Sequence, residues 1–392
     1  MLMGMASRGA NNKRLRTKAG KKMTPARTQV TLKDVARVAE CSTAVVSTVI
    51  NRARGNTLVS EELRKRVEEA ARKLGYRPNF ASRSLVSRRT RTLGVYIPPA
   101  PWSGPGFAYE GEILKGIEHA CRTRGYDLLL INLTGDQEPQ ACIEKFGERR
   151  IDGLLLVHAE PGSLWIRDLL NAGCNVVAVD YANPDADLNA MVFDNAGVSR
   201  VAIDHLVQLG HRKIGFLGSC KDPISKDGMA RQVAFLEYAR EVGVEVKPEW
   251  VYDVTRAPRP LRDDEHVCQL EGLWGAQHIL SLGKDGPTAW MVYSDLVAAN
   301  AMPHLQANGV CIPEDVSLIG VDDAYWCHMT NPPLSSIGHP LYEMGQRAVE
   351  LLIEISERTP DTDQPSRTTR GVHELFAPRL VARGTTAPPP NR

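Results

Sequence analysis

The lysines and arginines are the first residues whose placement implies a chemistry. Residues 1–92 carry 22 Lys or Arg against 6 Asp or Glu, whereas the rest of the chain carries 26 against 40. Cations gathered on one module neutralise phosphates and release their counterions. The basic module is therefore either a nucleic-acid-binding unit beside an acidic domain or a solubilising tail. The groups that would carry enzymatic chemistry are not arranged for it. There is no Gly-x-x-x-x-Gly-Lys-Ser/Thr, no Gly-x-Ser-x-Gly and no His-Glu-x-x-His, and the 10 His are scattered. The 8 Cys (Cys41, Cys121, Cys142, Cys174, Cys220, Cys268, Cys311 and Cys327) lack zinc-like spacing and read as reduced, buried thiols. No enzyme activity, metal or cofactor is expected.

The elements that position the basic groups are short helices. Residues 1–29 hold Lys and Arg, no acid and no apolar periodicity, and read as a disordered basic extension. In residues 30–77, Thr31 caps a helix with Leu32, Val35, Ala36 and Ala39 on one side. Glu40-Cys41 makes a short turn, and Ser42 caps a second helix that turns Val46, Val49 and Ile50 inward. Two short helices across so tight a turn fit a helix-turn-helix. After the polar loop Arg52 to Leu58, Ser60 caps a third helix carrying Leu63, Val67, Ala70 and Leu74, which stops at Gly75. Residues 78–92 read as a short helix plus a basic linker.

Residues 93–388 change to strand–helix alternation. The apolar runs Leu93–Ile97, Asp127–Asn132, Gly153–Val157, Val176–Val179, Ile214–Leu217, Ala289–Tyr293 and Ser317–Gly320 read as buried parallel strands. Amphipathic stretches between them include Glu112–Arg124, Gly197–Gly210, Arg231–Val242, Gly272–Ser281 and Val297–Asn308. The fold expected is a helical headpiece followed by a doubly wound α/β core of two subdomains, 93–193 with 324–338 and 194–323 with 339–388. Ligands in such sheets sit at strand carboxyl ends, so the cleft between subdomains is the expected site. There is no run of eighteen apolar residues and no secretory signal. A cytoplasmic protein without a membrane partner is expected.

Several stretches, in order, resemble the lac-repressor (LacI/GalR) family: Val30 to Ala39, Val45 to Asn51, Val59 to Val67, Leu74 to Asn79, Ile151 to Leu155, His205 to Phe216, Ile312 to Gly320 and Arg383 to Pro388. The likeness covers residues 30–388. It implies a DNA-binding headpiece, a hinge helix and a core like periplasmic sugar-binding proteins, acting as a homodimer on near-palindromic double-stranded operator DNA. It also implies a regulator, in most relatives a repressor, controlled by a small-molecule effector such as a sugar or related metabolite. No heptad-bearing tail follows Pro388, so a dimer rather than a coiled-coil tetramer is expected.

By position, the resemblance assigns DNA contact to Thr31, Ser42, Thr43, Ala44, Ser47, Thr48, Asn51 and Tyr76. Thr43 and Thr48 offer hydroxyls to a base edge or phosphate, and Ala44 a methyl to thymine. Many relatives carry Arg where Thr48 stands, so guanine readout there is not expected. Arg52, Arg54 and Asn56 are either phosphate contacts or solvated loop residues. Leu85 matches the family's minor-groove wedge, with Asn79, Ala81, Ser82 and Arg83 on the same short helix. The family favours Gly where Glu40 stands, and a positive φ there costs Glu on the order of 1 kcal/mol.

For the effector, Asp295 matches the family aspartate that accepts ligand hydroxyls. Arg231 matches the arginine of Arg-x-x-Gly-Phe, with Ala234 replacing the Gly. The loop Pro98 to Phe107 departs from the family pattern; its Trp102 and Phe107 either stack on a ligand ring or pack on their own loop. Trp326, beside Tyr325, is a further candidate. Two rival readings make different demands on the sequence. A transport solute-binding protein would need a signal peptide and no headpiece, and an enzyme on this fold would need a catalytic motif.

Overall fold

The computed structural model describes residues 30–50, 59–77, 89–98, 104–131, 138–158, 164–181, 186–218, 226–253, 256–259, 266–357 and 370–391. The basic extension, the hinge segment, Asn51, Arg52, Arg54, Asn56, Asn79, Ala81, Ser82, Arg83, Leu85 and Trp102 lie outside the described residues. The chain divides into two units, Met1–Arg88 and Arg89–Arg392.

The described residues of the first unit form three helices, α1 (Leu32–Val38), α2 (Thr43–Ile50) and α3 (Glu61–Leu74). The Asp34 carboxylate accepts from the Thr31 backbone N–H at 3.0 Å and from its hydroxyl at 2.7 Å, closing the start of α1. Those two bonds hold the Asp34 carboxyl below its ordinary value. Ser42 Oγ accepts from the Val45 N–H at 3.3 Å, and Ser60 Oγ from the Leu63 N–H at 3.3 Å. Helix α3 ends where Gly75 takes φ 65°, and the Tyr76 N–H closes the last turn on the Ala71 carbonyl. Val35, Ala36, Ala39, Val46, Val49, Val67, Ala70 and Ala71 form the small core. The turn between α1 and α2 carries Glu40 at φ 51°, in the left-handed region.

The second unit holds two six-stranded sheets. The first runs β11-β5-β4-β3-β1-β2 and is parallel throughout. Its strands are β1 (Thr92–Tyr96), β2 (Asp127–Leu130), β3 (Gly153–Val157), β4 (Val176–Val179), β5 (Asn189–Phe193) and β11 (His373–Phe376). The second runs β12-β10-β9-β8-β6-β7, with β6 (Ile214–Leu217), β7 (Val251–Tyr252), β8 (Ala289–Val292), β9 (Ser317–Asp322), β10 (Ser335–Gly338) and β12 (Arg379–Val381). Only β12 is antiparallel to its neighbour. Among the described residues no helix is long and apolar enough to cross a membrane.

The sheets correct the expected division of the last third. The sequence pattern groups residues 324–338 with the first subdomain, but β10 pairs with β9 in the second sheet. It groups residues 339–388 with the second, but β11 pairs with β5 in the first sheet, and β12 returns to the second. The chain thus crosses between subdomains three times: after β5, after β10 and after β11. Apolar periodicity marks where strands are, not which sheet a distant strand joins.

Helices α4 (Ala108–Arg124), α5 (Glu138–Gly147), α6 (Leu164–Asn171) and α11 (Leu341–Glu357) serve the first subdomain, while α7 (Asn195–Gln208), α8 (Lys226–Glu241), α9 (Val267–Leu282) and α10 (Asp295–Ala307) serve the second. Helices α4 and α11 cross closely enough that a Cβ at Gly116 would lie 2.0 Å from the Tyr342 carbonyl oxygen. The carboxyl-terminal segment is strapped to the second subdomain by two histidines. His205 Nε2 meets Thr386 Oγ1 at 3.0 Å, and His211 reaches Thr288 Oγ1 at 2.8 Å and the Ala387 carbonyl at 2.9 Å. Burial lowers the pKa of both rings below the ordinary 6.5.

Two outcomes follow. Glu40→Gly relieves the left-handed strain and stabilises the first unit by up to about 1 kcal/mol, read as slower amide exchange in α1 and α2; unchanged exchange would mean the turn carries no strain. Both histidines take up protons less readily in the folded chain than in the unfolded one, where they titrate near pH 6.5, so their contribution is full above that pH and declines below it. The melting temperature of wild type relative to H205Q/H211Q therefore falls between pH 7.5 and 5.5, and a constant difference would refute this.

Candidate functional site

Helix α2 presents Ser42, Thr43 and Ala44 to solvent and keeps Ser47 and Thr48 half-buried, with Val46 and Val49 inward. Local bonding engages some of the expected DNA-contacting groups. The Thr48 hydroxyl donates to the Ala44 carbonyl at 3.0 Å, and the Thr31 hydroxyl donates to Asp34. Thr48 therefore offers outward its methyl and an oxygen lone pair, not its proton. Tyr76 packs half-buried against the headpiece core. Thr43 and Ala44 remain the outward groups at the amino end of α2.

In the second unit the carboxyl ends of both sheets meet at one polar cluster. His158 follows β3, Asp180 follows β4, Asn195 follows β5 by one residue, Tyr293 follows β8, Asp322 ends β9 and His339 follows β10. Three of these are non-glycine residues at positive φ: His158 at 53°, Asp180 at 56° and Asp322 at 118°. Strain of this kind persists only where the surroundings over-determine it, and it gathers at functional sites.

Arg231, on α8, is the cation at the centre. Its Nε donates to Asn195 Oδ1 at 2.8 Å, its Nη1 to the Tyr293 carbonyl at 2.8 Å, and its Nη2 lies 3.3 Å from His339 Nε2. Ser199 Oγ, donating to the Arg231 carbonyl at 2.7 Å, fixes the backbone beneath it. From the first subdomain, the Tyr109 hydroxyl donates to Asp180 Oδ2 at 2.7 Å and lies 3.0 Å from His339 Nδ1. The His339 ring stacks on Phe193 with centroids 3.5 Å apart. Asp322 receives the Ser294 hydroxyl at 3.4 Å and sits 3.6 Å from His339 Nε2.

Burial sets the electrostatics. It pushes the Asp322 carboxyl well above the ordinary carboxylate range; Arg231 pulls it back, and Asp295 and Asp180 push it further. Burial also raises the Tyr109 phenol, with Asp180 adding to the effect, and drives His339 well below 6.5, assisted by Arg231. A carboxyl, a phenol and an imidazole are thereby all biased toward their neutral forms.

Of the effector residues expected from the sequence that fall among the described residues, only Arg231 lies in this cluster. Asp295, expected to face a ligand, sits behind it with no exposure. Its Oδ2 accepts from the Ala324 N–H and the Cys327 thiol, each at 3.0 Å. Its Oδ1 is buried without a hydrogen-bond partner, and a Cβ on Gly320 would lie 2.1 Å from it. Burial brings the Asp295 carboxyl up to about 7. This side chain organises the turn that follows Asp322 at the end of β9, because its position at the start of α10 turns the carboxyl under β9. Trp326, also expected at the ligand, packs against the second-subdomain core, its indole N–H buried without a partner. Phe107 is 44% exposed just before α4, two residues from Tyr109.

Tyr109, Asp180, Asn195, Asp322 and His339 were not singled out from the sequence. The available signal was positional: each except Tyr109 directly ends or closely follows a strand at its carboxyl end. Among the described residues no group of three or more His, Cys, Asp or Glu is placed to hold a metal ion.

Comparison with known proteins bears on both units. Residues 31–79 match the family model described as bacterial regulatory proteins, lacI family, and residues 203–386 match the periplasmic binding protein-like domain. The chain is 31% identical over 334 residues to the HTH-type transcriptional repressor PurR of Aliivibrio salmonicida, covering 83% of this chain and 91% of that one. It is 30% identical over 327 residues to the ribose operon repressor of Haemophilus influenzae, covering 83% and 91%. Among solved structures it is similar to the lac repressor dimer bound to operator and the anti-inducer ONPF, with a TM-score of 0.72, 23% identity and 92% and 100% coverage. It is also similar to the CelR–cellobiose complex, with a TM-score of 0.61, 25% identity and 91% and 100% coverage. The headpiece helices, the paired sheets and these relatives agree, and the chain belongs to the lacI family of bacterial transcriptional regulators, which are DNA-binding proteins and not enzymes.

Proposed function

We propose that the protein is a dimeric repressor that grips a near-palindromic operator through α2 of two copies and is switched by a polyhydroxylated small molecule, a sugar or close relative, in the cleft of the second unit. The observation that carries this is the cluster at the strand carboxyl ends, where Asp180 and Asp322 stand with Arg231 and the Tyr109 ring. Carboxylates take the paired hydroxyl protons that sugars offer, a guanidinium donates to ring and hydroxyl oxygens, and an aromatic edge covers the apolar ring face. Relatives fit this reading: one solved neighbour is a complex with cellobiose, and one curated relative is the ribose operon repressor.

On this reading the effector controls operator affinity through the two subdomains. A ligand shifts the equilibrium between an open and a closed cleft only by its differential affinity for the two. Groups from both sheets reach the cluster, so a ligand bridging them favours closure. The DNA end follows ordinary rules: Thr43 and Ala44 touch base edges, and the basic residues of the first unit neutralise phosphates.

Two measurements check this. Thermal unfolding of the full chain with D-ribose, cellobiose and other neutral sugars yields one that raises the melting temperature, since a ligand at 100 times its Kd adds roughly 2.7 kcal/mol. D180N or D322N weakens that sugar by about tenfold, the loss of a hydrogen bond to a carboxyl oxygen. If no neutral sugar stabilises the protein, the sugar reading is lost. Removing residues 1–88 abolishes retention of a promoter fragment while the sugar still binds, and the intact chain loses DNA affinity steeply between 50 and 200 mM salt. Equal retention by the shortened chain would overturn the assignment of DNA binding to the first unit.

A further inference from the structure

His339 occupies a place with two unusual properties. It stands on the second crossover, directly after β10 of the second sheet and before α11 of the first subdomain. Both of its ring nitrogens lie within hydrogen-bond distance of partners belonging to different subdomains. Nε2 is 3.3 Å from the Arg231 guanidinium on α8, and Nδ1 is 3.0 Å from the Tyr109 hydroxyl on α4. The ring rests on Phe193, the last residue of β5 before the first crossover, at 3.5 Å and 25°.

The donor inventory fixes the direction of every bond in this chain. A guanidinium donates and never accepts, so Nε2 must present its lone pair to Arg231. With Nε2 unprotonated, the ring is neutral and its one proton is on Nδ1. Nδ1 therefore donates to the Tyr109 oxygen, which leaves the Tyr109 proton for Asp180 Oδ2 at 2.7 Å. We propose that His339 is a positioning residue of the cleft: held as the Nδ1-protonated neutral ring, it joins Arg231 of the second subdomain to Tyr109 and Asp180 of the first through hydrogen bonds that run one way.

The charged and titratable groups facing the ring are consistent with that form. Arg231 approaches from α8, Asp322 from the end of β9 at 3.6 Å from Nε2, Tyr109 from α4 and His158 from the end of β3. Burial, Arg231 and His158 all oppose a proton on the ring, so it stays neutral well below pH 6.5. Were Nε2 protonated, it would turn to Asp322 and release Arg231, and the link between subdomains would break at its centre. The functional importance of this link rests on the effector reading given above; the link itself does not.

The ring proton can be read directly. In the full chain labelled with 15N-histidine, long-range 1H–15N correlation distinguishes a protonated from a bare ring nitrogen, and the His339 signals are those lost in H339F. The expected result is a protonated Nδ1 and a bare Nε2, unchanged from pH 8 to 5.5. This departs from free histidine, which favours the proton on Nε2 and titrates near 6.5. Y109F and R231M, which remove the acceptor and the donor at the two ends, each reduce that preference. A ring protonated on Nε2, or one taking a second proton near pH 6.5, would overturn the proposal.

A second measurement holds if one variant folds poorly. Melting-temperature losses for Y109F and R231M are less than additive when His339 is present and additive in H339F, which has neither donor nor acceptor to carry the link. Additivity in both backgrounds refutes the link. If the Nδ1 proton is found but no sugar binds, the effector reading fails and the relay stands. If sugars bind but the proton is on Nε2, the relay fails alone.

Discussion

A guanidinium has donors and nothing else, and that constraint orders the cleft of the second unit. Arg231 is held by an amide oxygen, a main-chain carbonyl and an imidazole nitrogen, all of which must act as acceptors. Asn195 and His339 lie on the first two crossovers, and Tyr293 closes a central strand of the second sheet. One side chain on α8 thus ties down both crossovers and a strand end together. Arg and Lys are not exchangeable here, because an ammonium cannot present three donors in a fixed plane to acceptors spread this way.

The three crossovers explain why the site is where it is. Parallel strands end on the same side of a sheet, and each crossing brings the carboxyl end of one sheet against that of the other. Residues at those ends inherit sharp turns, and so His158, Asp180 and Asp322 have left-handed or neighbouring backbone conformations despite carrying side chains. Glu40 in the headpiece is a different case. It also takes a positive φ, but at the turn between α1 and α2, where its role is only to reverse the chain.

How much of this was legible depends on how local each determinant is. Ser60 and Gly75 delimit α3 because a cap hydroxyl and a glycine act within one turn. Gly153–Val157, Val176–Val179 and Ile214–Leu217 were legible to the residue because a strand buried on both faces must be apolar throughout. Ser335–Gly338 is equally buried, but two serines and a glycine give no such run. Edge strand β11 exposes His373 and Leu375 and likewise carries no signal. The sheet each joins is set by pairing with residues as far away as β5, which no local pattern encodes. The same limit misplaced Asp295. Family position brought it to the site, but whether a carboxyl at the start of a helix faces the cleft or lies beneath the neighbouring strand depends on Gly320, which leaves the space it fills.

The burial of these carboxyls has an energetic consequence for switching. Asp295 and Asp322 both bind their protons more tightly in the folded chain than in the unfolded one. The stability this brings is complete below the ordinary carboxylate range and is lost as pH rises through the folded value, which for Asp295 is about 7. Near neutrality the fold therefore carries some cost at Asp295, whose Oδ1 is buried without a donor behind the cluster. On the proposed effector reading, a ligand hydroxyl bonded to Asp322 in this buried setting gains more than it would at a solvated carboxylate. On that reading, an arrangement that brings the strand ends of both sheets onto one ligand binds it more tightly than one that parts them, and a difference in affinity between two arrangements is the one quantity by which an effector can move them.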